Sequence, residues 1–304
     1  MAFQQTLIPS EVEQIGLHNM HYVRDLFKRV NIYTYYACIP AFYSHYCCGI
    51  YRSYVYKKHE VFTLKYENKN PRVILFEPPS EGLQEYLMKR NPLFIRQTLY
   101  QGTSEAYKDF KAHKIKFAIE NDFVVDTNEY KTLEGSAIGK LRRKHNYVTR
   151  HYPHLQMKPV TPDMKGAIEA FIKQWGQDHK HYFRLTINRD YFLLECLDDL
   201  FGVSVWDGDK IVAVDLMCGY LNNTTKCISI MGKHDIKYDN LYDYMMIESI
   251  QMAQHYGFQW CNFGSATEPG LIKYKEKFLL QNGYKFPLGI ITLFERQLPK
   301  KVKK

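Results

Sequence analysis

No metal site or disulfide framework is spelled out in these 304 residues. The seven cysteines, at positions 38, 47, 48, 196, 218, 227 and 261, include no CxxC pair and no Cys/His ligand spacing, which argues against zinc. Their odd number and scatter fit reduced thiols in a cytosolic setting. The first ten residues lack the basic region and apolar run of a signal peptide. No Walker loop and no Ser-His-Asp spacing is present. A long aliphatic run is missing as well. Residues 32–51 contain no Asp, Glu, Lys or Arg, but they hold Pro40, Ser44, His45 and many tyrosines instead of the Leu, Ile and Val of a spanning helix. They read as buried aromatic structure, with contact to a membrane surface as the alternative.

What is present is length, aromatic mass and positive charge. A chain of this length makes two domains or one large one. Hydrophobic residues are 45% and aromatics 15% of the total, which excludes a disordered chain. A net charge of +9 favours an anionic partner: RNA, a phosphorylated cofactor or an acidic lipid surface. Part of that excess sits in the tail 300–304, a basic end expected to fray.

The C-terminal half is the more legible. Thr161-Pro162 opens a helix carrying Met164, Ile168, Phe171, Ile172 and Trp175 at helical spacing and ending at Gly176. Asn188 is expected to cap a second helix. Strands follow at 202–206, 210–220 and 226–231, punctuated by Asp207-Gly208-Asp209 and Asn222-Asn223. Asp239 or Asn240 caps a long helix that Gly257 follows. A strand at 258–263, a short helix at 270–280 and a strand at 289–294 complete the pattern. Farther forward, 10–30 reads as helix, 61–66 and 72–76 as a hairpin, and 116–119 and 123–125 as short strands. Ser80 is expected to cap one helix and Thr103 or Ser104 another.

Two stretches carry chemistry. In residues 262–278 a strand ends at Asn262, Gly264 breaks it, and Gly270 precedes a helix bearing Lys273, Lys275 and Lys277. Such a turn before a basic helix holds an anionic or carbonyl-bearing ligand, or is an ordinary connection with a solvated lysine face. In residues 130–153, Ser136 caps a helix with Ile138, Leu141, His145 and Val148 on its apolar side. Lys140, Arg142, Arg143, Lys144 and Arg150 form its basic face, suited to phosphates or simply solvated between two domains.

The order helix, helix, three antiparallel strands, helix, strand, helix, strand resembles the GNAT acyltransferase superfamily. Two such halves make the expected fold an α/β (α+β) tandem of GNAT-like domains with mixed, splayed sheets flanked by helices. The expected partition is 1–135, a basic linker helix 136–160, and a catalytic domain 161–304. More specifically, Gly139-Lys140, the basic cluster, Lys144-His145-Asn146 and the Tyr152-Pro153 break resemble the inter-domain helix of the phosphatidylglycerol lysyltransferase C-terminal-domain family, which carries Lys-Arg-Asn there. Asn262, Gly270-Leu271 and the lysines after them resemble its second signature. The resemblance covers residues 115–295 well and the rest loosely. It implies transfer of an amino acid from aminoacyl-tRNA to a lipid headgroup or amine, a plan and donor shared with Fem-type peptidyltransferases. Full lysyltransferases also carry a membrane-embedded flippase, and no such segment is expected here.

An activated ester needs no nucleophilic side chain, only proximity, a proton acceptor and oxyanion donors. Lys273 and Lys277, four apart, are expected at the oxyanion or a phosphate. Asn262 and Gly264 are expected to position the ester, with Gly270 opening the helix. Asp243 and Glu248 are candidate bases or amine binders. Asp215, mid-strand, faces either the cleft or solvent. Lys140, Arg142, Arg143, Lys144 and Asn146 would hold tRNA or a lipid phosphate. No cofactor or metal is expected. The chain is expected in the cytoplasm or at the membrane periphery. An acyl-coenzyme-A transferase is the alternative, although residues 231–241 lack the glycine pattern that cradles pyrophosphate. A non-catalytic basic module is another. The sequence leaves the oligomeric state open.

Overall fold

A computed structural model describes residues 11–29, 38–66, 72–77, 79–90, 96–100, 115–179, 184–266 and 268–293. The first ten residues, the basic tail, the turn at 67–70 and the helix expected from Thr103 or Ser104 lie outside them. The chain divides into two compact units. One comprises Met1–Ile32, His45–Glu120 and Pro287–Lys304, the other Tyr33–Ser44 and Asn121–Phe286. The division differs from the partition at 135/136 and 160/161. The basic helix belongs wholly to the second unit. The last strand, β12 (Tyr284–Leu293), counts with the first unit from Pro287 on, because Gly289 to Leu293 pair with β5 (Arg96–Tyr100).

In the first unit β1 (Val12–Gln14), β2 (Tyr51–Tyr56), β3 (Glu60–Lys65) and β4 (Arg72–Leu75) lie in the order β1-β2-β3-β4-β5-β12. The hairpin expected at 61–76 is the antiparallel pair β3–β4. The helices are α1 (His21–Arg29) and α3 (Glu81–Arg90), and Ser80 caps α3 by accepting the Leu83 N–H at 3.2 Å. Residues 10–30 are not one helix. Asn19 accepts the Gly16 N–H at 2.8 Å and donates to Glu13 at 2.6 Å, and these local bonds hold strand β1 and a short turn ahead of α1. From the uncharged stretch comes α2 (Ile39–Tyr46), whose Ala41, Phe42, Tyr43 and Tyr46 are buried and which counts with the second unit as far as Ser44. Among the described residues no helix is long and apolar enough to cross a membrane.

The second unit has the expected order of elements: α5 (Lys165–Asp178), α6 (Arg184–Leu194), β8 (Phe201–Asp207), β9 (Lys210–Tyr220), β10 (Asn223–His234), α7 (Leu241–His255), β11 (Trp260–Ala266) and α8 (Pro269–Glu276). Ahead of them run β6 (Ile115–Asp126), one strand where two were expected and part of this unit from Asn121 on, α4 (Gly139–His151) and β7 (Leu155–Pro159). The strand order is β6-β11-β10-β9-β8-β7. Several boundaries move. Gly176 lies inside α5 and Asn188 inside α6, while α4 starts behind Ile138 rather than at Ser136. The core packs Leu141 and Val148 of α4 against Met245, Ile247 and Ile250 of α7 and Val205 of the sheet.

One irregularity shapes the site. Strands β10 and β11 run parallel for three pairs, Lys226↔Trp260, Cys227↔Cys261 and Ile228↔Asn262. Beyond these, β10 stays with β9 as far as His234↔Ala213, whereas β11 follows β6 through Ser265↔Asp122. The register of β11 slips between Asn262 and Ser265, where Gly264 adopts φ +70°. The two strands therefore part immediately after Asn262.

Candidate active site

Asp243, in the first turn of α7, is 4% exposed, and a carboxylate so placed requires partners. It has three. Lys144 of α4 and Lys277, just past α8, both pair with it, and the Tyr274 hydroxyl donates to Oδ1 at 2.8 Å. Burial pushes its pKa up, but hydrogen bonds from Lys144 and Lys277 outweigh that and hold the carboxyl below the usual range. Burial lowers the Lys277 ammonium, and Asp243 offsets this only in part. The Lys277 ammonium also sits 3.5 Å from the Tyr274 ring centroid.

Two ammonium groups on one carboxylate leave a positive charge over. Lys144, Lys277 and the exposed Lys140 line one cavity of about 540 Å³, together with Leu141, Leu279 and Leu280. Positions 140, 141 and 144 share a face of α4 because they lie one turn apart. The side chains of Lys144 and Lys277 are 42% and 26% exposed, so both remain accessible to an anion.

The strand end is built differently from expectation. Asn262 is buried and fully engaged. Its amide donates to Asp122 at 2.8 Å and to the Tyr220 hydroxyl at 2.7 Å, and its oxygen accepts the Gly264 N–H at 2.6 Å. It ties β11 to β6 and to the end of β9, and stabilises the left-handed turn at Gly264. Lys275, unremarked within the lysine ladder, donates to the carbonyls of Phe263, Gly264 and Ser265 at 2.6, 3.1 and 2.8 Å. Burial lowers its ammonium to about 8, with Asp122 opposing. Lys273 is exposed and Gly270 opens away from any neighbour. Helix α8 ends at Glu276 and Lys277 caps it with helical backbone, φ −64° and ψ −20°; Lys277 turns to Asp243 whereas Lys273, one turn earlier, is exposed.

On α4, Arg142 donates to the carbonyls of Leu133 and Gly135 at 3.0 and 3.4 Å and so braces the preceding loop. Arg143 and Asn146 are exposed, outside the described cavity. Glu248 meets His145 at 2.7 Å, and the imidazole packs at 4.8 Å from the Tyr244 ring. That pair joins α4 to α7 apart from the Asp243 cluster. Of the expected residues, the structure brings together Lys140, Lys144, Asp243 and Lys277. Asn262 and Gly264 meet at the strand end, and Lys273, Gly270, Arg143 and Asn146 join neither group.

A splayed parallel pair behind a long helix, with flanking helices, is a GNAT-like fold. Residues 51–285 match the family of the phosphatidylglycerol lysyltransferase C-terminal region, and the chain belongs to that family. Among solved structures, a conserved protein of unknown function from Bacteroides thetaiotaomicron is similar at 15% identity and a TM-score of 0.72, over 95% of this chain and 100% of that one. L-PGS from Bacillus licheniformis is similar at 14% identity and 0.62, over 94% of each chain. FemX is similar at 9% identity and 0.60, over 94% of this chain and 98% of that one. At such identities the likeness is one of fold. No curated protein matches the chain by sequence. Membership of that family supports an acyl- or aminoacyltransferase of the lysylphosphatidylglycerol-synthase type.

Proposed function

We propose that the chain transfers an aminoacyl group from aminoacyl-tRNA to an amine or a lipid headgroup. The observation that carries this reading is the lysine cleft, lined by Lys140, Lys144 and Lys277, with Asp243 fixing two of them. The terminal phosphates of tRNA meet ammonium groups held in place before binding, so little reorganisation opposes the encounter. Lys277, partly desolvated, is suited to the developing oxyanion. The donor ester is already activated, and the cleft adds proximity and charge. A coenzyme-A donor fits less well. The turn between β10 and α7, residues 235–240, has no glycine, and the nearest one, Gly232, lies within β10, where a Cβ would meet the Tyr242 hydroxyl at 2.9 Å, so neither offers an open amide cradle. An anionic membrane surface, met peripherally, would supply a lipid acceptor.

Incubation with charged tRNAs and a panel of lipids and amines is expected to yield uncharged tRNA and an aminoacylated acceptor. Replacing Lys144 and Lys277 together by Ala is expected to slow this about 100-fold, the range for lost electrostatic stabilisation. No deacylation with any amino acid or acceptor would overturn the reading. Micromolar binding of coenzyme A in calorimetry would move the donor to that class.

A further inference from the structure

We propose that Ser229 and Asp215 form a proton relay at the point where β10 and β11 part, with Ser229 touching the attacking group and Asp215 holding the proton behind it. The inference rests on the transferase reading above. Attack by an amine or hydroxyl releases a proton, and Asp243 is badly placed to take it. Its carboxylate already accepts from two ammonium groups and a phenol and is held at low basicity.

Ser229 is the first residue of β10 beyond the last pair, Ile228↔Asn262, and it is only half-buried. Its hydroxyl donates to Asp215 Oδ1 at 2.7 Å. Asp215, on β9, is wholly buried, and its Oδ2 has no hydrogen-bond partner among the described residues. Glycine makes room for it. Gly232 stands opposite in register, and a Cβ there would lie 3.3 Å from Asp215 Oδ1. On the other side a Cβ at Gly202 of β8 would reach 2.0 Å from the Asp215 carbonyl oxygen.

Few groups compensate the charge. Ser229 and the Cys227 thiol belong to β10, Ser249 and Tyr242 to α7, and the Tyr274 phenol to α8, while β8 offers Val203. Asp215 makes no ion pair among the described residues. Burial therefore pushes its carboxyl up to about 7, with Ser229 and Ser249 only partly offsetting. A carboxyl poised there is part ionised at neutral pH, the condition under which a base works best.

The nucleophile forms its bond to the ester carbonyl carbon, and the bond from that carbon to the ribose oxygen breaks. The nucleophile's proton passes to Ser229 Oγ as the Ser229 proton moves to Asp215. The return by the same path protonates the leaving ribose oxygen and restores the carboxylate.

The test compares wild type, Ser229→Ala, Ser229→Thr and Asp215→Asn in single-turnover transfer from charged tRNA across pH, with thermal melts to verify folding. Ser229→Ala and Asp215→Asn are expected to lower kcat about 100-fold, within the usual range for general-base catalysis, at unchanged donor KM. Asp215→Asn is also expected to abolish the fall in rate below neutral pH. Ser229→Thr, which keeps the hydroxyl, is expected to retain activity. If Ser229→Ala keeps kcat, or if Asp215→Asn keeps the acid limb, the relay is overturned and the transferase reading stands. If wild type itself releases no tRNA with any acceptor, both fall. Should Asp215→Asn fail to fold, the Ser229 pair alone decides.

Discussion

Two aspartates within one unit illustrate how environment sets charge. Asp243 is buried but surrounded by donors, and its carboxyl is lowered; Asp215 is buried among serines and phenols, and its carboxyl is raised. Their effects on stability have opposite signs. A lowered carboxyl contributes stability that is present above the ordinary value of 3.8 and is lost as pH falls through the folded-state value. A raised one contributes stability that is complete below 3.8 and is lost as pH rises through about 7. Asp243→Asn is therefore expected to cost about 1–2 kcal/mol at neutral pH, because it removes the anion to which the part-exposed Lys144 and Lys277 ammonium groups bond, and much less in strong acid. Asp215→Asn cannot ionise, so its urea midpoint should gain on wild type between pH 5 and pH 8. A constant difference across that range would mean that the fold ionises Asp215 without penalty.

At the scale of elements, the joint between β11 and α8 depends on one lysine. The slip at Gly264 turns three successive carbonyls of β11 toward one point, and Lys275 of α8 donates to all three. Lys275→Met keeps the length and loses the donors. It is expected to cost about 2 kcal/mol, as for hydrogen bonds to a charged group, and to speed amide exchange in β11 and α8. Unchanged exchange there would deny Lys275 that role. Gly264→Ala is expected to cost about 1–2 kcal/mol through its left-handed backbone. The break at Gly264 and the elements on either side were legible in the sequence, whereas the bonds of Lys275 across the break were not. The periodicity of α5, the Asp207-Gly208-Asp209 hairpin and the glycine after α7 are local signals, and local signals decide secondary structure. Lys144 and Asp243 are 99 residues apart, and Asn262 and Asp122 are 140 apart. Such pairs follow from strand register and helix packing, which no short window contains. The ladder of Lys273, Lys275 and Lys277 misled for a related reason. Alternate positions on a helix point to opposite sides, and what packs against each side, the carbonyls of β11 or Asp243, decides which lysine is engaged.

At the scale of the whole molecule, a net charge of +9 means little until the cations are sorted by what already holds them. Arg142 and Arg143 are neighbours on α4 with different standing. The guanidinium of Arg142 is bonded to the carbonyls of Leu133 and Gly135, whereas Arg143 is exposed to any polyanion that arrives. If tRNA lies along this helix, Arg143→Ala should weaken binding and reduce the log–log salt slope by about 1, the effect of one lost phosphate contact. Arg142→Ala should lower the melting temperature and leave the slope unchanged. Filter binding across a range of potassium chloride, with parallel melts, separates the two. An unchanged slope in Arg143→Ala would place the RNA elsewhere, because a cation in contact with phosphate necessarily releases its share of counterions.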